Sequence, residues 1–154
     1  MSGADPSRRT TRSAVMPMTA PISDLDQLLR HLHPVLHPRT VAFCRLPQDA
    51  DTESIPWLGF FREAEGITVV VYDDVATGCG WEVVFRAAWI TLNVNSDFQA
   101  VGLTAAVATA LTAAGISCNV IAAVHHDHVF VPVGLGEAAV KVLQRLERGA
   151  HAPH

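Results

Sequence analysis

The stretch VHHDHVFVP, Val124 to Pro132, sets three histidines and an aspartate side by side. These residue types bind metals, move protons near neutral pH or lend polar atoms to a ligand. His126 and His128 are two apart and share one face if a strand begins there, a spacing found in some zinc sites. Zinc needs a fuller set of protein ligands, and no second His/Cys cluster has matching spacing; His31, His33 and His37 would have to converge through the fold. Asp127 tolerates turn geometry. The stretch therefore reads as a bend between two strands, with no metal, in which His126 or His128 hydrogen-bonds across the hairpin or toward a ligand.

A second set of candidates lies between Asn95 and Thr104, in NSDFQAVGLT. Backbone N–H groups at a helix start near Val101, Gly102, Leu103 and Thr104 suit a carboxylate, and Gly102 permits close approach. Asn95, Asp97 and Asn119 offer acceptors to an ammonium. The candidate ligand set is Asn95, Ser96, Val101, Gly102, Leu103, Thr104, Asn119 and His126. They also admit a purely structural reading, with Ser96 as N-cap, Gln99 completing a capping box, and Gly102 allowing tight packing.

Other tempting residues carry less. Glu63 and Glu65 in FREAEG resemble paired carboxylates, but Arg62 and the position before a strand suit a solvated turn. Cys79 has no cation beside it in sequence to lower its pKa. Trp57, Trp81 and Trp89 read as core or interface anchors. No nucleophile motif, phosphate loop or metal-ligand set stands at a recognisable spacing, so no catalytic residue and no cofactor is expected.

The elements that must position these residues follow from periodicity. ISDLDQLLRHLHP is a helix, capped by Ser23 accepting from the backbone at Asp26, with Leu25, Leu28, Leu29 and Leu32 on one face and Pro34 stopping it. Thr40 to Leu46 and Ile67 to Asp73 are strands, the latter apolar enough to be covered on both faces. PQDADTESIP is a loop, and DVATGCG is a short segment open to a helical reading. Glu82 to Val94 runs without glycine or proline, a single strand of about 43 Å. VGLTAAVATALTAAG is a helix ending at Gly115. SCNVIAAV and HVFVPV are strands, and LGEAAVKVLQRLERG is a closing amphipathic helix. The second half lacks one strand of a βαββαβ unit, and the first half lacks its opening strand. The long strand from Glu82 can close the first and open the second, giving one interlocked α+β sandwich.

The totals bound the function class. The chain's 154 residues are 49% hydrophobic and 17% charged, with net charge −4, a balance that attracts no nucleic acid. No apolar run is long enough to span a membrane. Cys44, Cys79 and Cys118 are widely spaced and odd in number, which favours a reducing compartment and a cytoplasmic location. Residues 1–20 read as a mobile tail, with Arg8 and Arg9 not followed by an export-type apolar stretch and with Met16 or Met18 as alternative starts. Residues 149–154 read as a second tail.

Three stretches, FREAEG, WITLNVNSDFQAVGLTAA and GISCNVIAAVHHDHVFVP, together resemble the small stand-alone bacterial tandem ACT-domain proteins. These are similar in turn to the regulatory ACT domains of aspartate kinases and to the ACT units of eukaryotic arginine sensors. The resemblance spans roughly Ile22 to Leu146. It implies two ferredoxin-like βαββαβ units, at 21–86 and 87–148, interlocked in tandem with antiparallel sheets covered by helices. It aligns Gly102 with the helix-opening glycine and Asn119 with the strand-opening asparagine of the regulatory domains, and places the H-D-H bend in the hairpin of the second and third strands. It implies a non-enzymatic regulatory protein that binds an amino acid or similar metabolite as a homodimer paired through sheet edges; the alternative is an interaction module without a ligand.

Overall fold

The computed structural model describes residues 20–150; of the tails expected at 1–20 and 149–154, residues 1–19 and 151–154 lie outside it, while Gly149 and Ala150 belong to the last helix. Helix α1, Leu25–Arg30, begins one residue later than the sequence suggests. Its cap is Asp24, whose carboxylate accepts from the Gln27 N–H at 2.9 Å, and not Ser23; a charged acceptor one position on makes the stronger cap. Leu28 and Leu32 are completely buried, worth about 2 kcal/mol each. That burial, not propensity, holds a helix of six residues against the cost of nucleation.

A three-residue strand, β1 at Pro34–Leu36, follows between two prolines that conceal it in the sequence. Next come β2 at Val41–Leu46, β3 at Gly59–Glu63 and β4 at Gly66–Tyr72. FREAEG is the β3–β4 hairpin, an exposed turn at Ala64 and Glu65 between strand ends: Arg62 pairs with Ile67 and Glu63 with Gly66, and the Thr68 hydroxyl donates to the Glu63 carboxylate. DVATGCG takes the helical reading, as α2, Asp73–Cys79, closed by Gly80 at φ 65°.

Strand β5, Glu82–Leu92, runs 11 residues and ends before Asn93 and Val94, which leave the ladder. Helix α3 covers Leu103–Ala113, β6 Asn119–Ala122, β7 Asp127–Pro132 and α4 Gly136–Ala150. All strands join one antiparallel sheet of seven in the order β3-β4-β2-β5-β7-β6, with β1 lying along β5. Ala87 pairs with Val41 of β2 on one side and Pro132 of β7 on the other. One strand therefore closes the first half and opens the second.

The missing strand of the second half is found at the start of the chain. Pro34–Leu36 pairs with Leu92 to Ile90, in the place beside β5 that a fourth strand would fill, and α1 packs on α3 and α4. Residues 20–36 therefore belong physically to the core of β5, α3, β7 and α4, where Leu28, Leu32, Ile90, Leu111, Val129 and Leu143 meet. A second core, with Cys44, Ile67, Val69 and Ala76, lies under α2.

Among the described residues all four helices cover one face of the sheet. A bulge keeps this consistent: Phe43 pairs with Phe85 but Cys44 with Val83, so Val84 is the extra residue and the alternation of β5 shifts by one. Val83 then faces α2 while Phe85, Ala87 and Trp89 face the other side. There Phe43 meets Phe130 edge to face at 5.1 Å, and Phe85, Tyr72, Trp89 and Ile121 surround them.

Candidate functional site

The loop from β5 to α3 is held by backbone bonds. Ile22 donates to the Asn95 carbonyl and accepts from the Asp97 N–H, both at 2.9 Å, a parallel bridge between Ile22 and Ser96. The Asp97 carboxylate takes the Gln99 N–H at 2.9 Å, and the Asp97 carbonyl that of Ala100 at 2.9 Å. This tight local turn presents Ser96 inward.

Ser96 is not a helix cap. Its hydroxyl donates to Asp127 Oδ2 at 3.1 Å, and the N-cap of α3 is Gly102, at φ 104°, with no side-chain cap bond. The capping box of Ser96 and Gln99 is thus absent, because the helix begins later than that box requires. The first helical bond runs from Ala106 N–H to the Gly102 carbonyl at 2.8 Å, so the N–H groups of Leu103, Thr104 and Ala105 have no partner within the helix. Gly102 is required twice over: its φ favours glycine, and a Cβ there would sit 2.9 Å from Leu25 Cδ2.

A cavity of about 60 Å³ opens at this helix start, lined by Ser96, Asp97, Leu103, Thr104, Ala122, Ala123 and Asp127. Asp127 is only 5% exposed. Its carboxylate and that of Asp97 face a helix end whose partial charge is positive, a polarity that suits a small molecule carrying both an ammonium and a carboxylate.

Of the candidate set, Ser96, Leu103 and Thr104 line this cavity and Gly102 caps the helix beside it. Asn95 supports the loop through its carbonyl, and Val101 is 84% exposed. His126 lies in the bend, where Ala123 N–H donates to its carbonyl at 3.1 Å and its Nδ1 is buried without a hydrogen-bond partner. Asn119 stands elsewhere. It pairs with Phe130 and lines a larger concavity, about 420 Å³, on the open face of the sheet with Phe43, Arg45, Thr68 and Phe85.

The residue missed by sequence reasoning is Asp127, which read as a turn former. Counting back by twos from the inward Val131 and Val129 places it on the buried face of β7. The histidines read as scattered do converge in part: His37 and His128 meet at Thr91 on the open face. Among the described residues no group of three or more His, Cys, Asp or Glu side chains is placed to hold a metal. Burial pushes the Cys44 and Cys118 thiols above their ordinary pKa, away from reactivity.

An open-faced antiparallel sheet backed by helices, in two halves sharing one strand, defines a tandem α+β module with a small polar pocket at a helix start. The chain belongs to the ACT-domain family. Residues 20–88 and 84–145 each match an ACT domain, and the overlap falls within β5, the shared strand. A crystal structure of a Vibrio cholerae protein of unknown function, described as a possible transport protein, is 39% identical, with a TM-score of 0.72 over 80% of this chain and 95% of that one. The Agrobacterium tumefaciens protein Atu0741 shares the fold at 16% identity, TM-score 0.57, covering 71% of this chain and 84% of its own. So does the regulatory subunit of aspartate kinase from Thermus flavus, at 12% identity and TM-score 0.52, over 73% of this chain and 95% of that subunit. No curated protein matches the chain. Among the described residues no helix is long and apolar enough to cross a membrane.

Proposed function

We propose that this chain is a non-enzymatic regulatory protein that binds a free amino acid, or a metabolite with the same pair of charged groups, at the start of α3. The observation that supports it is the Ser96 to Asp127 hydrogen bond, which sets a buried carboxylate against the uncapped N–H groups of Leu103 and Thr104. The ligand carboxylate takes those N–H groups, and its ammonium takes Asp127 and Asp97.

The present space of about 60 Å³ is room for about two water molecules, so binding opens the loop at 98–101. Phe98, Val101 and Val124, respectively 66%, 84% and 67% exposed, border the same loop and bend. A second copy of the chain covering these apolar side chains completes the site, which is the homodimer this reading expects.

A thermal-shift scan against the common amino acids at millimolar concentration tests the proposal. A ligand at a hundred times its Kd adds about 2.7 kcal/mol, a rise of several degrees. Asp127→Asn should remove the shift, while Asn119→Ala should leave it. A flat panel would favour an interaction module without a ligand, a reading supported by the partly buried aromatic cluster of Phe43, Phe85 and Trp89, on the face that no described helix covers.

A further inference from the structure

We infer that His37, Trp89, Thr91 and His128 form a pH-sensitive clasp that fastens the N-terminal segment, residues 20–37, to the sheet and loosens it when His128 takes up a proton. Leu28 and Leu32 anchor α1 in the core, whereas β1, at the other end of the segment, is three residues long and pairs with β5; the clasp secures that end. Immediately after that strand, His37 donates its backbone N–H to the Trp89 carbonyl at 2.8 Å. Its ring lies flat on the Trp89 indole, with centroids 3.6 Å apart and planes 9° from parallel.

Proton accounting fixes the state of the clasp. The indole N–H of Trp89 can only donate, and it points at His128 Nδ1 from 3.1 Å. That nitrogen must therefore carry a lone pair, and the proton of neutral His128 sits on Nε2. Thr91 Oγ1 lies 3.1 Å from the same Nδ1 and 2.7 Å from His37 Nε2. With His37 Nε2–H donating to Thr91, the Thr91 hydroxyl and the indole N–H share the single lone pair of His128 Nδ1. In this arrangement His37 accommodates a second proton without rearrangement. His128 does not: a proton on Nδ1 would face the indole N–H head on, and a half-buried donor would lose its acceptor. The sensor is thus His128, and Trp89 transmits its state to the stacked His37.

The groups around His128 support a response in mildly acidic solution. Thr91 and Trp89 face it from β5, Ile121 pairs with it from β6, and His37 approaches from beyond β1. His126 and Asp127 are its neighbours in the hairpin, Asp127 pointing to the opposite face. Beyond Trp89 stands Tyr72, covered by Arg39, which Asp74 holds. Burial first, then the charges of His126 and His37, hold the His128 pKa below its ordinary value, with Asp127 opposing.

Loosening would be felt at the other end of the segment. Ile22 holds the loop at Asn95 and Asp97, and Leu25 packs on Gly102. The clasp stands whether or not the pocket there binds an amino acid.

The test uses the full chain with Trp57→Phe and Trp81→Phe, leaving Trp89 as the only tryptophan. Its emission, and the hydrogen-exchange protection of residues 35–37 corrected for intrinsic pH dependence, are followed from pH 8 to 5. Both should change together with one midpoint below about 6.5, protection falling about tenfold per pH unit beyond it. In His128→Gln, which keeps an acceptor and cannot titrate, the protection should stay flat, and any emission change left by the stacked His37 should vanish when His37→Gln is added. A flat response in the parent, or an unchanged transition in His128→Gln, would overturn the clasp. Should that variant not fold, nitrogen NMR of His128 in the parent decides: Nδ1 protonated at pH 8 refutes the clasp, and Nε2–H with loss of that tautomer at the emission midpoint supports it.

Discussion

Ser96 and Asp127 lie 31 residues apart and are joined by a 3.1 Å hydrogen bond that ties the loop before α3 to the first residue of β7. It is the point at which the helix end and the hairpin bend become one site. Ser96→Ala removes a donor from a carboxylate that is only 5% exposed. Leaving a buried charged acceptor short of a partner costs about 1–3 kcal/mol. Urea unfolding should show that loss with an unchanged slope, and a variant as stable as the parent would mean that water replaces the hydroxyl at no cost.

Gly102→Ala should destabilise by about 1–2 kcal/mol from the backbone alone, with a further cost from the 2.9 Å approach to Leu25 Cδ2. The two contributions separate in a cycle with Leu25→Ala. Shortening Leu25 frees the space but leaves φ at 104°, so the double variant should be more stable than the sum of the single losses predicts. Strict additivity would show that Leu25 swings aside and that only the backbone matters.

Much of this arrangement is legible before the structure. The apolar runs of β4 and β7, the period of α4 and the long unbroken stretch of β5 follow from local pattern, and they are what the interlocked α+β reading rests on. The place of Pro34–Leu36 does not follow, because a three-residue strand between prolines has no period and its partner lies more than fifty residues on. Asn119 shows the limit for sites. Its type suits an ammonium, but strand alternation opposite Phe130 turns it to the open face, away from α3. Asp127 shows the converse, since alternation alone would have placed it inward.

Gly136→Ala, at the first residue of α4, should also destabilise, although alanine is the better helix former. A Cβ there would stand 2.8 Å from Leu36 Cδ1 and 2.9 Å from Ala88 Cβ. Leu36 can turn away, whereas the Ala88 Cβ is fixed to β5, so Leu36→Ala in the same background should rescue only part of the loss. A stabilised Gly136→Ala in thermal melts would mean that α4 shifts outward without penalty.

The two histidines of the open face set a stability profile with a definite sign. Burial lowers the pKa of His37, and burial with neighbouring positive charge lowers that of His128; both are released to about 6.5 on unfolding. Between the folded and unfolded values the unfolded chain binds more protons, so stability rises with pH through this window. The full contribution is present above about 6.5 and is lost as the solution is acidified toward the folded values, below which the loss levels off. The Asp74 carboxyl, held below its ordinary range chiefly by its hydrogen bond from Arg39, acts only at lower pH and in the carboxylate range. Urea midpoints from pH 8 to 5 should therefore fall in a first step that shrinks in His128→Gln and in His37→Gln and nearly disappears when both are replaced. An equal first step in the double variant would place the titrating group elsewhere in the chain.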